Sequence, residues 1–302
     1  RFDAVEPHNW VFFPLFPFLE KTLGMTIGSP LLAGVLIANL SFLAALFLFA
    51  QVGSRFGYSK KELQRGLYLL AFFPTSYFLS SPLTESLYLL LILAAFYSFQ
   101  NKKVLFSGVT FALATLTRPT GILMLPGYWT GLFQFSDVSL KRKLTAAAIA
   151  PLGALGFMTF LYFQTGHPLA FILNQAHWGR GEQGLLGLIK SIINAPGTIA
   201  LPWNLVALNI LCLISGLYIS LRYLILRNYS LSLLIAAPLL AAAATGSVQS
   251  IGRFTLVFFP IYFYLGRSTK ETDSFLLLLT FFAALLGIMT VMYATHITSA
   301  MA

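Results

Sequence analysis

The chain has 302 residues, 58% of them hydrophobic and only 9% charged, with a mean hydropathy of +0.81. A soluble domain carries about 25% charged residues, so the charges here are too few to cover a water-facing surface and a water-soluble globule is all but excluded. The net charge of +10 comes from 19 Lys and Arg against 9 Asp and Glu; on a soluble protein it would suggest nucleic acid, but on this chain it reads as loops that set orientation in a membrane, with no nucleic-acid partner. The apolar runs are continuous rather than alternating, which predicts an all-α, polytopic transmembrane protein and argues against a transmembrane barrel.

Taken in order, the apolar runs predict about ten crossings, near 30–52, 64–81, 84–100, 104–118, 120–135, 143–163, 203–226, 231–245, 253–266 and 274–297. The whole chain, 1–302, reads as one integral membrane domain, with outer loops at 1–29 and 164–202. It opens on Arg1 rather than Met, so a preceding segment is expected. The runs 104–118 and 120–135 are divided by Arg118-Pro119. Proline disfavours the helical conformation in the residue before it, which places Arg118 at a helix end. Short or broken helices at membrane depth are tolerated where they are buried or line a cavity. Cys212, the only cysteine, lies inside an apolar run, so an internal disulfide and a cysteine metal site are both excluded.

Charge predicts the orientation. Arg55, Lys60, Lys61 and Arg65 cluster in one loop, and Lys102-Lys103, Lys141-Arg142-Lys143, Arg222 with Arg227, and Arg267 with Lys270 mark later ones. With ten crossings these 13 of the 19 basic residues fall on one side, the expected cytoplasmic face. The opposite face carries few charges: Asp3, Glu6 and His8, then Glu85, Arg118, His167, His177, Arg180 and Glu182, and finally Arg253 beside Gln249. Cations there run against the positive-inside bias and suggest a bound anion.

Each of these residues admits two readings. Asp3, in Arg1-Phe2-Asp3-Ala4, is a general base for a sugar hydroxyl or a loop carboxylate paired with Arg1. Arg118 binds a phosphate through its planar fork or pairs with Glu85; both hold if Glu85 orients the guanidinium. Glu85, in Pro82-Leu83-Thr84-Glu85-Ser86, is alternatively a first-turn acid favoured by the helix dipole, with Thr84 or Ser81 as cap. Within Asn174-Gln175-Ala176-His177-Trp178-Gly179-Arg180-Gly181, glycines let backbone approach a ligand and Trp178 offers a face for a sugar; the plainer reading is an interfacial segment. Arg253 is either part of the anion site with Gln249 or an interfacial anchor. His167 and His177 lack metal-ligand spacing, and neither a metal nor another cofactor is expected. A Walker loop, a GxGxxG turn and a nucleophile elbow are all absent. A transferase built this way would draw on a lipid-linked donor reached from the membrane.

An ordered set of motifs carries a family resemblance. Arg1-Phe2-Asp3-Ala4 resembles the Arg-Trp-Asp-Ala opening of the PIG-V type mannosyltransferases, and Phe12-Phe13-Pro14-Leu15-Phe16-Pro17 is similar to their Phe-Phe-Pro-Leu-Tyr-Pro segment. Phe73-Pro74-Thr75-Ser76, Thr84-Glu85-Ser86-Leu87, Leu116-Thr117-Arg118-Pro119-Thr120-Gly121, Ala176-His177-Trp178-Gly179-Arg180 and Ser250-Ile251-Gly252-Arg253-Phe254 follow in the family's order. The chain departs from the pattern after Ala4, where a longer stretch is usual. The resemblance implies the GT-C class of membrane glycosyltransferases and inverting transfer of a hexose, with mannose the leading choice. The donor would be a polyprenyl-phosphate sugar and the acceptor an extracytoplasmic lipid or glycan. It implies Asp3 as base and Arg118 as a ligand of the lipid phosphate, joined by Arg180 and Arg253. The expected location is the bacterial plasma membrane, with the endoplasmic reticulum as alternative, and the chain would sit among membrane lipids. A transporter or flippase of a lipid-linked or anionic solute is the alternative function, and a non-catalytic membrane subunit a third.

The orientation is testable by single-cysteine labelling in intact cells, in a Cys212→Ser background. Position 177 should label from outside, and positions 102 and 141 only after permeabilisation; the reverse pattern would invert the topology.

Overall fold

A computed structural model describes residues 9–174, 184–193 and 206–295. After a short 3-10 turn at Asn9–Val11 come α1 (Leu15–Ile27), α2 (Pro30–Arg55), α3 (Lys60–Ala71), α4 (Tyr77–Ser80), α5 (Glu85–Gln100), α6 (Val104–Thr115), α7 (Thr120–Leu123), α8 (Leu125–Phe135) and α9 (Leu140–Ile149). They are followed by α10 (Leu152–Thr165), α11 (Ala170–Leu173), α12 (Gly184–Ile193), α13 (Val206–Ile225), α14 (Tyr229–Ala244), α15 (Ile251–Leu256), α16 (Phe259–Ser268) and α17 (Thr272–Ala294). The described residues are helical throughout, with no strand among them.

Among the described residues four helices are long and apolar enough to cross a membrane: α2 with 26 residues, α9 and α10 running together as 26, α13 with 20 and α17 with 23. The remaining apolar runs form shorter helices, below the roughly 20 residues a full span needs. The expected 104–118 span is α6, only 12 residues, and the expected 120–135 span is split into α7 and α8. The lipid-facing character of α2 is plain in its exposed Leu40, Leu43 and Phe47. The outermost helix is α17, with only 6% of its apolar window covered by protein.

The outer loops expected at 1–29 and 164–202 need correction, because both contain helices: α1 in the first, α11 and α12 in the second. Hydropathy missed α1 because Glu20, Lys21 and three polar or small positions interrupt it. A crossing needs an unbroken apolar run, whereas a helix packed on a neighbour needs only one apolar face. Gly28, at a φ of 84°, ends α1 in the left-handed conformation, and Ser29 caps α2 ahead of Pro30. That tight reversal lays α1 along α2.

The bundle has two distinct ends. At one, Arg55 donates to the carbonyl of Gln100 (2.8 Å) and to Asn101 Oδ1 (2.6 Å), and Lys102 meets Asp137 at 3.0 Å. At the same end Arg267 pairs with Glu62 at 2.9 Å, Arg65 reaches the carbonyls of Thr269 and Lys270, and Tyr58 meets the hydroxyl of Tyr223 at 2.8 Å. A capping box joins Ser59 and Glu62 there. Residues from 55–65, 100–102, 137 and 267–270 and from the end of α13 thus meet at this end. Asp137 lies in a loop, and its hydrogen bond and charge contact with Lys102 pull its pKa below the ordinary value.

At the other end Thr115 joins three helices. Its hydroxyl bonds the carbonyls of Ala112 (2.8 Å) and Ala150 (3.3 Å) and receives the N–H of Ala154 at 3.1 Å. The contact bridges the α9–α10 break to the end of α6, three residues before Arg118. It depends on close helix approach at Gly153, where an added methyl would fall on the carbonyl of Ala112. Gly153→Ala should therefore destabilise the protein by about 1–3 kcal/mol through overpacking. Gly156→Ala faces open space and should be neutral. Thermal unfolding in detergent distinguishes them; equal unfolding temperatures would mean that α6 and α10 separate without cost.

Candidate functional site

The end opposite the basic loops holds a buried ion cluster. Glu85, the first residue of α5, is 0% exposed, and its Oε1 accepts from both Arg118 Nη1 and Arg253 Nε. The Arg118 side chain is 10% exposed and that of Arg253 17%. Arg118 Nη1 also donates to Thr84 Oγ1 at 2.9 Å. A charge in an apolar interior is tolerated only when paired and hydrogen-bonded. Here two cations share one carboxylate oxygen.

Aromatic rings form the rest of the lining. The Arg118 guanidinium lies 5.9 Å from the centroids of Tyr88 and Phe254, and that of Arg253 lies 4.5 Å from Phe78. Such ring faces stabilise a cation most where water is excluded. The Tyr88 hydroxyl contacts Met124 Sδ at 3.2 Å. Glu85 Oε2 is buried and makes no hydrogen bond among the described residues. Unsatisfied polar atoms of this kind mark a place where a ligand group or water completes the network.

Local backbone explains how distant residues converge. Helix α6 ends at Thr115, and Pro119 opens the next turn, so Arg118 stands in the connection just past the helix. The N–H of Leu15 bonds the carbonyl of Leu116 at 3.3 Å, tying the start of α1 to that connection. Ser250 adopts a φ of 63° ahead of α15, whose third residue is Arg253. Asn209 Oδ1 receives the N–H of Gly252 (2.8 Å) and Thr75 Oγ1 donates to its carbonyl (3.2 Å), fixing the turn from both sides. Gln249 is half-buried in that turn, its N–H on Ser247 Oγ at 3.2 Å.

The arrangement brings Glu85, Arg118 and Arg253 together and places Gln249 four residues before Arg253 on the adjoining turn. Arg253 is no interfacial anchor; it is an internal partner of Glu85. Neither Thr84 nor Ser81 caps α5. Thr84 Oγ1 accepts from Arg118 instead, and Ser81 Oγ donates to the carbonyl of Tyr77 at 2.9 Å. Asp3, His177, Trp178 and Arg180 lie outside the described residues, as do Glu6, His8 and Glu182. Reading the sequence missed the second arm of the cluster, Arg253 to Glu85, and the supporting Thr75 and Asn209. Charge counting was the available signal, since one acid and two arginines interrupt otherwise apolar helices. Among the described residues no three His, Cys, Asp or Glu side chains gather into a metal-binding group.

Chemically, the cluster is a buried, hydrogen-bonded ion network. Glu85 Oε1 is taken up by two guanidiniums, so Glu85 acts as a counter-ion that orients them. Comparison with protein-family models, with curated proteins and with solved structures finds no match.

Removing the shared carboxylate should leave two buried cations facing each other. Glu85→Gln is expected to lower stability by about 3–5 kcal/mol, with part of the loss recovered in Glu85→Gln/Arg118→Met. Thermal unfolding of these two variants and of Arg118→Met in detergent measures this. Additive losses would mean that the two side chains do not interact.

Proposed function

We propose that the protein is a membrane glycosyltransferase of the GT-C type, which transfers a hexose, mannose by preference, from a polyprenyl-phosphate donor to a lipid or glycan acceptor outside the cytoplasm. The observation that carries the proposal is the Glu85–Arg118–Arg253 cluster, two arginines set against one buried carboxylate, at the end of the bundle remote from the basic loops. A phosphate is the anion this geometry suits, because arginine donates in a fixed planar fork. The ordered motifs from Arg1 to Phe254 support the same reading.

In this mechanism Asp3 takes the proton of the acceptor hydroxyl as its oxygen attacks the anomeric carbon. The bond from that carbon to the phosphate oxygen breaks on the opposite face, inverting the configuration. The electron pair leaves on the polyprenyl phosphate, whose charge Arg118 and Arg253 offset, joined by Arg180. A phosphate leaves without protonation, so a second carboxylic acid is not needed, in contrast to a glycosidase. Trp178, His177 and Gln249 are assigned to substrate contact. A transporter of an anionic lipid draws support from the broken helices α7–α8 and α15–α16. It requires ionisable groups near mid-membrane as well, whereas these gather at one end.

The test is transfer of labelled sugar from a polyprenyl-phosphate donor by purified protein, beside a donor-binding assay. Asp3→Asn should lower turnover by about 10²–10⁴-fold with donor binding retained. Arg118→Lys should weaken donor binding with the fold intact. Near-normal turnover in Asp3→Asn would remove Asp3 as base, and unchanged donor affinity in Arg118→Ala would limit Arg118 to its pairing with Glu85.

A further inference from the structure

At the basic end of the bundle a cavity of about 520 Å³ opens beside the α5–α6 turn, lined by Tyr97, Ser98, Asn101, Lys103 and Phe106. It is remote from the Glu85 cluster, which lies at the other end of α5. Three cations surround the turn and differ in one respect. Lys102 is paired with Asp137, whereas Lys103 and Arg55 have no carboxylate within ion-pair distance among the described residues.

Arg55 is nevertheless fixed. Its two terminal nitrogens are held by the carbonyl of Gln100 and by Asn101 Oδ1, and its guanidinium stands 5.8 Å from the centroid of Tyr97. Asn101 is fixed in turn, since its Nδ2 donates to the carbonyl of Tyr97 at 2.7 Å. Lys103 and Asn101 thus line the cavity, and Arg55 is anchored against two of the lining residues, Asn101 and Tyr97. On its other side the wall is apolar. Phe106 is 58% exposed, and Leu105 and Val109, each 46% exposed, continue the apolar surface along α6.

We infer that this cavity binds the headgroup of an anionic phospholipid. Lys103 would contact the phosphate, the fixed charge of Arg55 beside the lining would add to the attraction, and the acyl chains would lie along Phe106, Leu105 and Val109. The apolar surface running from the cavity selects a lipid over a free anion, since inorganic phosphate would leave it uncovered. Basic pockets between helices at the cytoplasmic surface are suited to such headgroups.

The experiment is native mass spectrometry of the detergent-purified protein with phosphatidylglycerol, phosphatidylcholine or inorganic phosphate. Phosphatidylglycerol should be retained in preference to phosphatidylcholine. Lys103→Gln should bind it about fivefold more weakly, and Lys103→Arg should restore binding. Lys141→Gln, at the same end but away from the cavity, should bind as the unmodified protein does. Lys103 is exposed, so its substitution leaves the fold intact, which thermal unfolding verifies. Equal retention of the two lipids would overturn the inference. So would unchanged binding by Lys103→Gln, an equal loss in Lys141→Gln, or displacement of the lipid by millimolar phosphate.

Discussion

Two guanidiniums converging on one buried carboxylate constrain everything around them. Removing such charges from water costs several kcal/mol per ion, and mutual attraction offsets it only with good geometry and further hydrogen bonds. The surroundings of Glu85 are arranged accordingly. Thr84 accepts from Arg118, and aromatic rings face both cations. The turn before Arg253 is held by Asn209 and Thr75, which come from different parts of the chain. Helices α5, α13 and α15 and the α6–α7 connection must therefore meet at one point, and the short, broken helices near it follow from that demand. A continuous α6–α8 helix would carry Arg118 past Glu85.

Charge separates the two ends of the bundle by number and by partnering. The basic end is crowded: Arg55 and Arg65 are engaged with backbone carbonyls, and Lys102 and Arg267 with Asp137 and Glu62. The other end holds the Glu85–Arg118–Arg253 cluster, nearly buried and mutually paired. The first pattern suits a leaflet surface, where solvent and headgroups screen charge. The second suits recognition, because fixed charges in an apolar setting act strongly on whatever enters.

Much of the architecture was legible in the sequence. Long apolar runs identified α2, α10, α13 and α17, and the adjacency of Glu85 and Arg118 followed from two helices joined by a short turn. The pairing of Arg253 with Glu85 was not legible, since 168 positions separate them and no local pattern links such residues. Helix α1 escaped because packing on α2, rather than lipid, covers one of its faces. The cap on α5 was misjudged because Thr84 has two uses for one oxygen, and only the folded chain places Arg118 close enough to claim it. The GT-C architecture and the reaction rest on motif order, so they stand as proposals beside the observed helical bundle.

The scant protein cover of α17 links the site to the bilayer itself. Little of this helix is buried in the protein, and near its end Tyr293 packs 5.0 Å from Tyr77 and 5.8 Å from Phe78, the ring that faces Arg253. A helix of that kind answers a thinner or thicker membrane by tilting. Hydrophobic mismatch therefore has a mechanical route, through two aromatic contacts, to one arm of the ion cluster. Membrane thickness becomes a variable of the site's geometry, and a detergent micelle and a native bilayer are different settings of it.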